Sequence, residues 1–223
     1  MSNIILIRHG QSEWNKLNKF TGLTDVDLSE EGKKDALLSG MKMKNLIIDK
    51  AYTSNLKRAI NTCKIVMELN KTNNYNLIYE LEELNERDYG ELTGKNKDEI
   101  TKEFGIEKVH KWRRGFDTKP PGGESLSEVC ERVSEFYNEK LKIDISNQEN
   151  ILIAAHGNSL RALLVVLGIC DKKIIETVDI PTGKPFIINF ENNKVVKYNY
   201  LQDYNFKGRQ ILDSRGNPTI EVD

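Results

Sequence analysis

The 223-residue chain holds three cysteines, three histidines and two tryptophans. Cys63, Cys130 and Cys170 are odd in number and far apart, with no CxxC pair and no Cys/His spacing of a zinc site. A disulfide framework and a structural zinc are excluded on that count, and reduced thiols in a cytoplasmic protein are expected. No apolar run approaches the roughly 18 residues of a membrane span. The opening MSNIILIRHG has no basic stretch before its short apolar run and no small-residue cleavage site, so it reads as a first strand, not a signal peptide. Repeats and low-complexity tracts are missing too. Neither sign of charge dominates: 33 basic residues face 34 acidic ones, for a net charge of −1. That removes the usual ground for expecting nucleic-acid or anionic-membrane binding. What remains is a chain with 38% hydrophobic residues, long enough for one large core, or one core with an appendage.

Strand and helix patterns alternate. Residues 3–7 form a continuous apolar run, as in a strand covered on both faces. Ser29 opens a helical stretch, and residues 50–53 read as a short strand. Ser54 is placed as the N-cap of the helix that follows. Residues 76–79 suggest a third strand, and residues 96–114 two short helices broken at Gly105. Pro120-Pro121-Gly122-Gly123 is a loop. Ser125 and Glu128 form a capping-box pattern ahead of a helix. Residues 150–155 are another buried strand, followed by a helix that Gly168 stops. Residues 185–190 and 195–198 suggest a hairpin. The order predicts an α/β fold: a mostly parallel central sheet with helices on both faces and an antiparallel edge.

In such sheets ligands sit beyond the carboxyl ends of the strands. Arg8-His9-Gly10 follows the first strand, His156-Gly157-Asn158 follows the fourth, and Arg58 lies one helical turn past the second. Two of the three histidines and two arginines therefore converge on one rim. Without a thiolate or carboxylate cluster this is a poor metal site and a good phosphate site. Arginine forks match phosphate oxygens and stay charged, and a neutral imidazole can attack phosphorus.

RHGQSEWN at 8–15 resembles the signature of the histidine phosphatase superfamily, in its cofactor-dependent phosphoglycerate mutase branch. FTG at 20–22, YTSNLKRAINT at 52–62, LNERDYGELTGKNK at 84–97, KWRRGFD at 111–117, PPGGESL at 120–126, AAHGNSLRAL at 154–163 and IPTGKP at 180–185 continue the match. The resemblance implies that His9 is the nucleophile that becomes phosphohistidine and that Arg8, Arg58 and His156 clamp the phosphate. It implies that Glu86 is the proton-transfer group. Asn15 falls on a further phosphate contact, and Ser12, Thr21, Gly22, Tyr89, Lys97, Arg113, Arg114 and Asn158 on positions that hold substrate phosphate and carboxylate. The implied reaction interconverts 3- and 2-phosphoglycerate, a glycolytic and gluconeogenic step. It is primed by 2,3-bisphosphoglycerate and needs no metal. Leu23 stands where the family commonly has tryptophan and Asp88 where it has histidine. The run through Pro121 into Gly122 lacks the insert of longer members, as in the short bacterial form. The family includes monomers, dimers and tetramers, and no apolar stripe selects among them, so homo-oligomerisation is left open.

Taken singly, several of these residues read otherwise. Arg113-Arg114 would be a solvated helix face, Lys97 a surface lysine, Glu86 with Arg87 a surface ion pair, and Tyr89 and Trp112 packed aromatics. Trp14 is read as packing and His110 as structural. Two other functions compete with the mutase: a phosphomonoester phosphatase using the same His9, and a non-catalytic phospho-ligand protein. The LNER block, Lys97 and Arg113-Arg114 favour the mutase. The catalytic domain is expected to span 1–204. Residues 208–223, GRQILDSRGNPTIEVD, resemble the N-terminal segment of enolase, so 205–223 is read as a borrowed, flexible tail.

Overall fold

The computed structural model describes residues 1–72, 74–201, 208–212 and 218–222. In chain order the elements are β1 (Ser2–Arg8), α1 (Glu13–Lys16), α2 (Glu30–Met43), β2 (Lys50–Thr53), α3 (Lys57–Leu69) and β3 (Ile78–Glu80). There follow α4 (Lys97–Phe104), α5 (Ile106–Arg114), α6 (Leu126–Phe136), α7 (Lys142–Ser146), β4 (Ile151–Ala155) and α8 (Gly157–Val166). The last are β5 (Phe186–Glu191), β6 (Lys194–Tyr200), β7 (Gly208–Leu212) and β8 (Pro218–Val222).

Six strands form one sheet in the order β3-β2-β4-β1-β5-β6. The first four are parallel; β5 runs antiparallel to β1, and β6 antiparallel to β5. The expected fold is therefore present, with an antiparallel pair at one edge. The apolar run of β1 is continuous because both its faces are covered. Ile4 and Leu6 pack with Val129, Val133, Leu160 and Leu163 of α6 and α8. Ile5 and Ile7 pack with Met43, Cys63, Val66 and Met67 of α2 and α3. The chain leaves β1 toward one face and β4 toward the other. Their adjacent carboxyl ends are the switch point at which such sheets open a crevice.

Local signals explain most boundaries. The Ser125–Glu128 capping box is made, Gly105 separates α4 from α5, and Gly168 takes φ +69° after α8. α6 does not stop at Phe136: a π-turn over Tyr137–Leu141 carries it into α7. Two expectations are corrected. The third strand starts at Ile78, because 75–77 form a short 3₁₀ turn capped by Asn74. Ser54 is not the N-cap of α3; Leu56 is, while the Ser54 hydroxyl accepts from the Leu56 N–H at 3.3 Å and meets His156 Nε2 at 2.7 Å. A residue that looked like local punctuation thus serves the site. Residues 205–207, 213–217 and 223 of the proposed tail lie outside the described residues; the backbones of β7 and β8 pair antiparallel.

The start of α2 is fixed against the loop that follows β1. Ser29 Oγ donates to the Gln11 carbonyl at 3.1 Å and accepts from the Gly32 N–H at 3.2 Å. Gly10 and Gly32 approach so closely that a Cβ on Gly10 would overlap the Gly32 carbonyl, and one on Gly32 the Gln11 carbonyl. This backbone contact sits directly beside His9. Gly32→Ala is expected to cost about 3 kcal/mol or more, because only backbone can give way. Urea denaturation checks this; an unchanged midpoint would contradict it.

Candidate active site

The β1–β4 ladder runs on into the site, with the His9 N–H donating to the Ala155 carbonyl at 3.0 Å. His9 is buried, and its Nδ1 lies 2.6 Å from the Gly10 carbonyl. A carbonyl can only accept, so the proton is assigned to Nδ1 and the lone pair to Nε2. Burial, then the charges of Arg58 and Arg8, push the His9 pKa well below its ordinary value, against the pull of the Gly10 bond. His156 is fully buried, and its ring packs edge-on to His9 with centroids 4.9 Å apart. Burial, Arg58 and His9 likewise hold His156 neutral.

Arg58, in the first turn of α3, donates to the Gly22 carbonyl at 2.8 Å and the Thr24 carbonyl at 2.9 Å. Gly22 holds φ +53°, a left-handed turn that suits glycine and aims its carbonyl at Arg58. Burial brings Arg58 down to about 10, so it keeps its charge at neutral pH. Arg8 donates to the Ile180 carbonyl at 2.9 Å. Its Nε, Thr21 Oγ1 and His156 Nδ1 are buried without a partner in the protein. Buried polar atoms left without a partner on these three residues suit an oxygen-rich ligand.

Glu86 is a loop residue held from three sides. Its Oε1 accepts from the backbone N–H of Arg87 at 2.8 Å and of Asn158, in the first turn of α8, at 3.2 Å. Arg132 of α6 donates to the carbonyls of Glu83, Asn85 and Glu86 at 2.8, 2.9 and 3.2 Å. Arg87 is no surface ion pair: it is fully buried and donates to the Glu124, Gly115 and Thr118 carbonyls. The carboxylate is thus set by backbone amides, which do not titrate.

A third apolar cluster of Phe20, Leu92, Ile100, Val109 and Trp112, with Tyr89 against it, caps the cleft. It carries Lys97 at the start of α4 and Arg113 and Arg114 at the end of α5 to the rim. These arginines are half-buried and line the cleft, which overrides their reading as a solvated face. Burial first, then Arg113 and Arg8, lower Lys97 to about 8.

Of the residues singled out from the sequence, Arg8, His9, Asn15, Thr21, Gly22, Arg58, Glu86, Tyr89, Lys97, Arg113, Arg114 and Asn158 line one cleft. His156 stands behind His9. Ser12 lies outside the lining: it caps α1, accepting from the Asn15 N–H while Asn15 Oδ1 accepts from the Ser12 N–H. His110 is exposed and away from the cleft. Trp14 packs beside Gly94, with Lys19 Nζ 5.5 Å from its ring centroid. Lys19, Arg161 and Asp179 also line the cleft and were missed. Arg161 was legible only as part of AAHGNSLRAL. It is buried, donates to Asn158 Oδ1 and the Ile175 and Arg113 carbonyls, and so turns the Asn158 amide nitrogen toward Tyr89 Oη, 3.3 Å away.

Residues 4–200 match the family described as "Histidine phosphatase superfamily (branch 1)". The chain belongs to the histidine phosphatase superfamily. A 2,3-bisphosphoglycerate-dependent phosphoglycerate mutase of Buchnera aphidicola subsp. Cinara cedri is 46% identical over 228 residues, covering 89% of this chain and 98% of the relative. The enzyme of that name from Cytophaga hutchinsonii is 44% identical over 192 residues, covering 86% and 89%. Among solved structures, the alpha-ribazole phosphatase of Shigella flexneri superposes with a TM-score of 0.76 at 21% identity, covering 90% of this chain and 96% of that one. At that identity it shows the fold alone. Bacillus stearothermophilus YhfR gives 0.73 at 26% identity, covering 88% and 95%.

The buried neutral imidazoles make stability pH-dependent. Unfolded, both histidines take up protons near pH 6.5; folded, they resist protonation until well below it. Stability is therefore full above about 6.5 and falls as the solution is acidified. Between pH 6.5 and 5.5 the slope should approach about 1.4 kcal/mol per pH unit for each imidazole. His9→Asn should remove about half of it. Denaturant melts across that window check this; a flat profile would contradict it.

Proposed function

We propose that this chain is a phosphoglycerate mutase that interconverts 3-phosphoglycerate and 2-phosphoglycerate through a phosphohistidine at His9. The observation that carries this reading is the neutral His9, with Nδ1 engaged, in a cleft that also presents Glu86. Seven cationic side chains (Arg8, Arg58, Arg113, Arg114, Arg161, Lys19 and Lys97) face two carboxylates there. That charge fits a small polyanion although the whole chain is near neutral. The 44–46% identity to mutases over most of the chain supports the same reading.

In this account His9 Nε2 carries the phosphoryl group. Arg8 and Arg58 cancel charge on the transferring oxygens, as loose phosphoryl transfer requires, and the neutral His156 offers them a hydrogen bond. Lys97, Arg113 and Arg114 hold the rest of the substrate, with Thr21, Gly22, Tyr89, Asn15 and Asn158 completing the walls. A substrate hydroxyl oxygen attacks phosphorus, the P–N bond breaks, and its electron pair returns to Nε2. The hydroxyl proton passes to Glu86. Return of the phosphoryl group on the neighbouring carbon to Nε2, with Glu86 giving the proton back, completes the exchange. When bound, 2,3-bisphosphoglycerate supplies the phosphoryl group that primes His9; the same cations and the unpartnered Arg8 Nε and Thr21 Oγ1 would hold it. A cytoplasmic location belongs to this proposal, as the natural place of a glycolytic isomerase with three reduced thiols.

The test supplies 3-phosphoglycerate with catalytic 2,3-bisphosphoglycerate and follows 2-phosphoglycerate and free phosphate together. Primer-dependent isomerisation is expected. Phosphate release without isomerisation would replace the reading by a phosphatase. His9→Ala should abolish turnover, and Glu86→Gln should lower kcat by about 10²- to 10⁴-fold.

Lys97 adds a pH signature. It is cationic below about 8 and neutral above, so its hold on the anion is present below that value and lost as pH rises through it. KM for 3-phosphoglycerate should climb above about pH 8 in the parent and stay flat there in Lys97→Met. Equal pH profiles for the two proteins would rule the role out.

A further inference from the structure

Among the described residues, one ion pair joins two side chains of the cleft: Arg114 Nη2 to Asp179 Oδ1 at 3.0 Å. Sequence reading gave Asp179 no part in the site, yet its position is built. Three successive carbonyls of its loop are held from different elements. Arg114 Nη1 donates to the Val178 carbonyl at 3.0 Å, Tyr200 Oη to the Asp179 carbonyl at 3.4 Å, and Arg8 Nη1 to the Ile180 carbonyl at 2.9 Å. The backbone therefore places this side chain on the cleft wall whether or not it is charged. Burial works against the charged form, but the hydrogen bond and charge of Arg114, with Arg8 and Arg161, outweigh it and hold the carboxyl below its usual range. At neutral pH it is an anion held on the cleft wall, with Glu86 one of two carboxylates among seven cationic side chains.

Repulsion between that anion and a ligand scales with the ligand's charge. A second phosphate adds up to about two negative charges. Resting on the mutase reading, we propose that Asp179 is a specificity-determining residue. Its carboxylate weakens retention of the doubly phosphorylated ligand more than that of the monophosphorylated substrate, so that the priming bisphosphate stays exchangeable in a strongly cationic cleft. Orientation of Arg114 is a separate role, since an amide oxygen at the same place still accepts its hydrogen bond.

Asp179→Asn removes the charge and keeps the acceptor. Calorimetric titration of the full chain with inorganic phosphate, 3-phosphoglycerate and 2,3-bisphosphoglycerate, at one pH and ionic strength, reads the result. Dissociation constants should fall by graded factors: about twofold for phosphate, slightly more for the monophosphate and about fivefold to tenfold for the bisphosphate. The gradient should shrink as salt is raised. An equal factor for all three ligands, or weaker binding of the bisphosphate, overturns the proposal. So does a pattern in which Asp179→Asn leaves all three constants unchanged while Asp179→Ala weakens them, which would reduce the residue to a tether for Arg114. The parent protein's isomerase assay is run on the same preparation. Graded binding without isomerisation would sink the mutase reading and leave the charge effect standing. Ungraded binding with isomerisation would sink the charge effect alone.

Discussion

The site depends on one hydrogen bond, from His9 Nδ1 to the carbonyl of the next residue. It decides which ring nitrogen keeps its lone pair. It also fixes the ring at the edge of a sheet whose ladder already holds the His9 backbone. An imidazole this deep, beside two arginines, is costly to charge. The same burial that would harm a solvated histidine keeps this one neutral and nucleophilic. The close packing of Gly10 on Gly32 extends the constraint into α2, so the carbonyl that sets the tautomer is itself held by backbone contact.

Around that bond the protein assembles two kinds of charge by different means. The cations come from five places in the fold: the end of β1, the loop after α1, the first turn of α3, the cap helices α4 and α5, and α8. Each guanidinium whose contacts place it is tied to backbone carbonyls, which orient it and leave its charge in place. Glu86 is the mirror case, an anion held by backbone amides and by a loop that Arg132 ties down through three carbonyls. Global net charge of −1 therefore says little about the site. The local field arises from topology.

The sheet and the rim were legible because their signals are local. Continuous apolar runs marked the strands buried on both faces. The residues just past Arg8 and Ala155 then had to meet, since β1 and β4 are neighbours. Arg8, His9, Arg58 and His156 were readable from the strand ends, and the family resemblance added Glu86, Lys97, Arg113, Arg114 and Asn158. What escaped notice acts across long sequence separations. Ser54 looked like a helix cap and reaches His156, 102 residues away. Arg161 reaches the Arg113 carbonyl, 48 residues away. Asp179 meets Arg114 across 65 residues. No periodicity or capping pattern reports such pairs. Ser12 is the opposite case: its structural partner is local, the first turn of α1 that it caps. The enolase-like segment at 208–223 remains a feature of sequence, of which the structure describes the backbone at 208–212 and 218–222.

The central claim is that His9 carries the phosphoryl group on Nε2 because Nδ1 is committed to Gly10. Loading the protein with 2,3-bisphosphoglycerate, quenching in alkali and examining the histidine by phosphorus and nitrogen NMR tests this most directly. The account predicts phosphate on the Nε2 atom of His9, lost on acidification. Phosphate on Nδ1, or on any residue other than His9 while isomerisation proceeds, would contradict it.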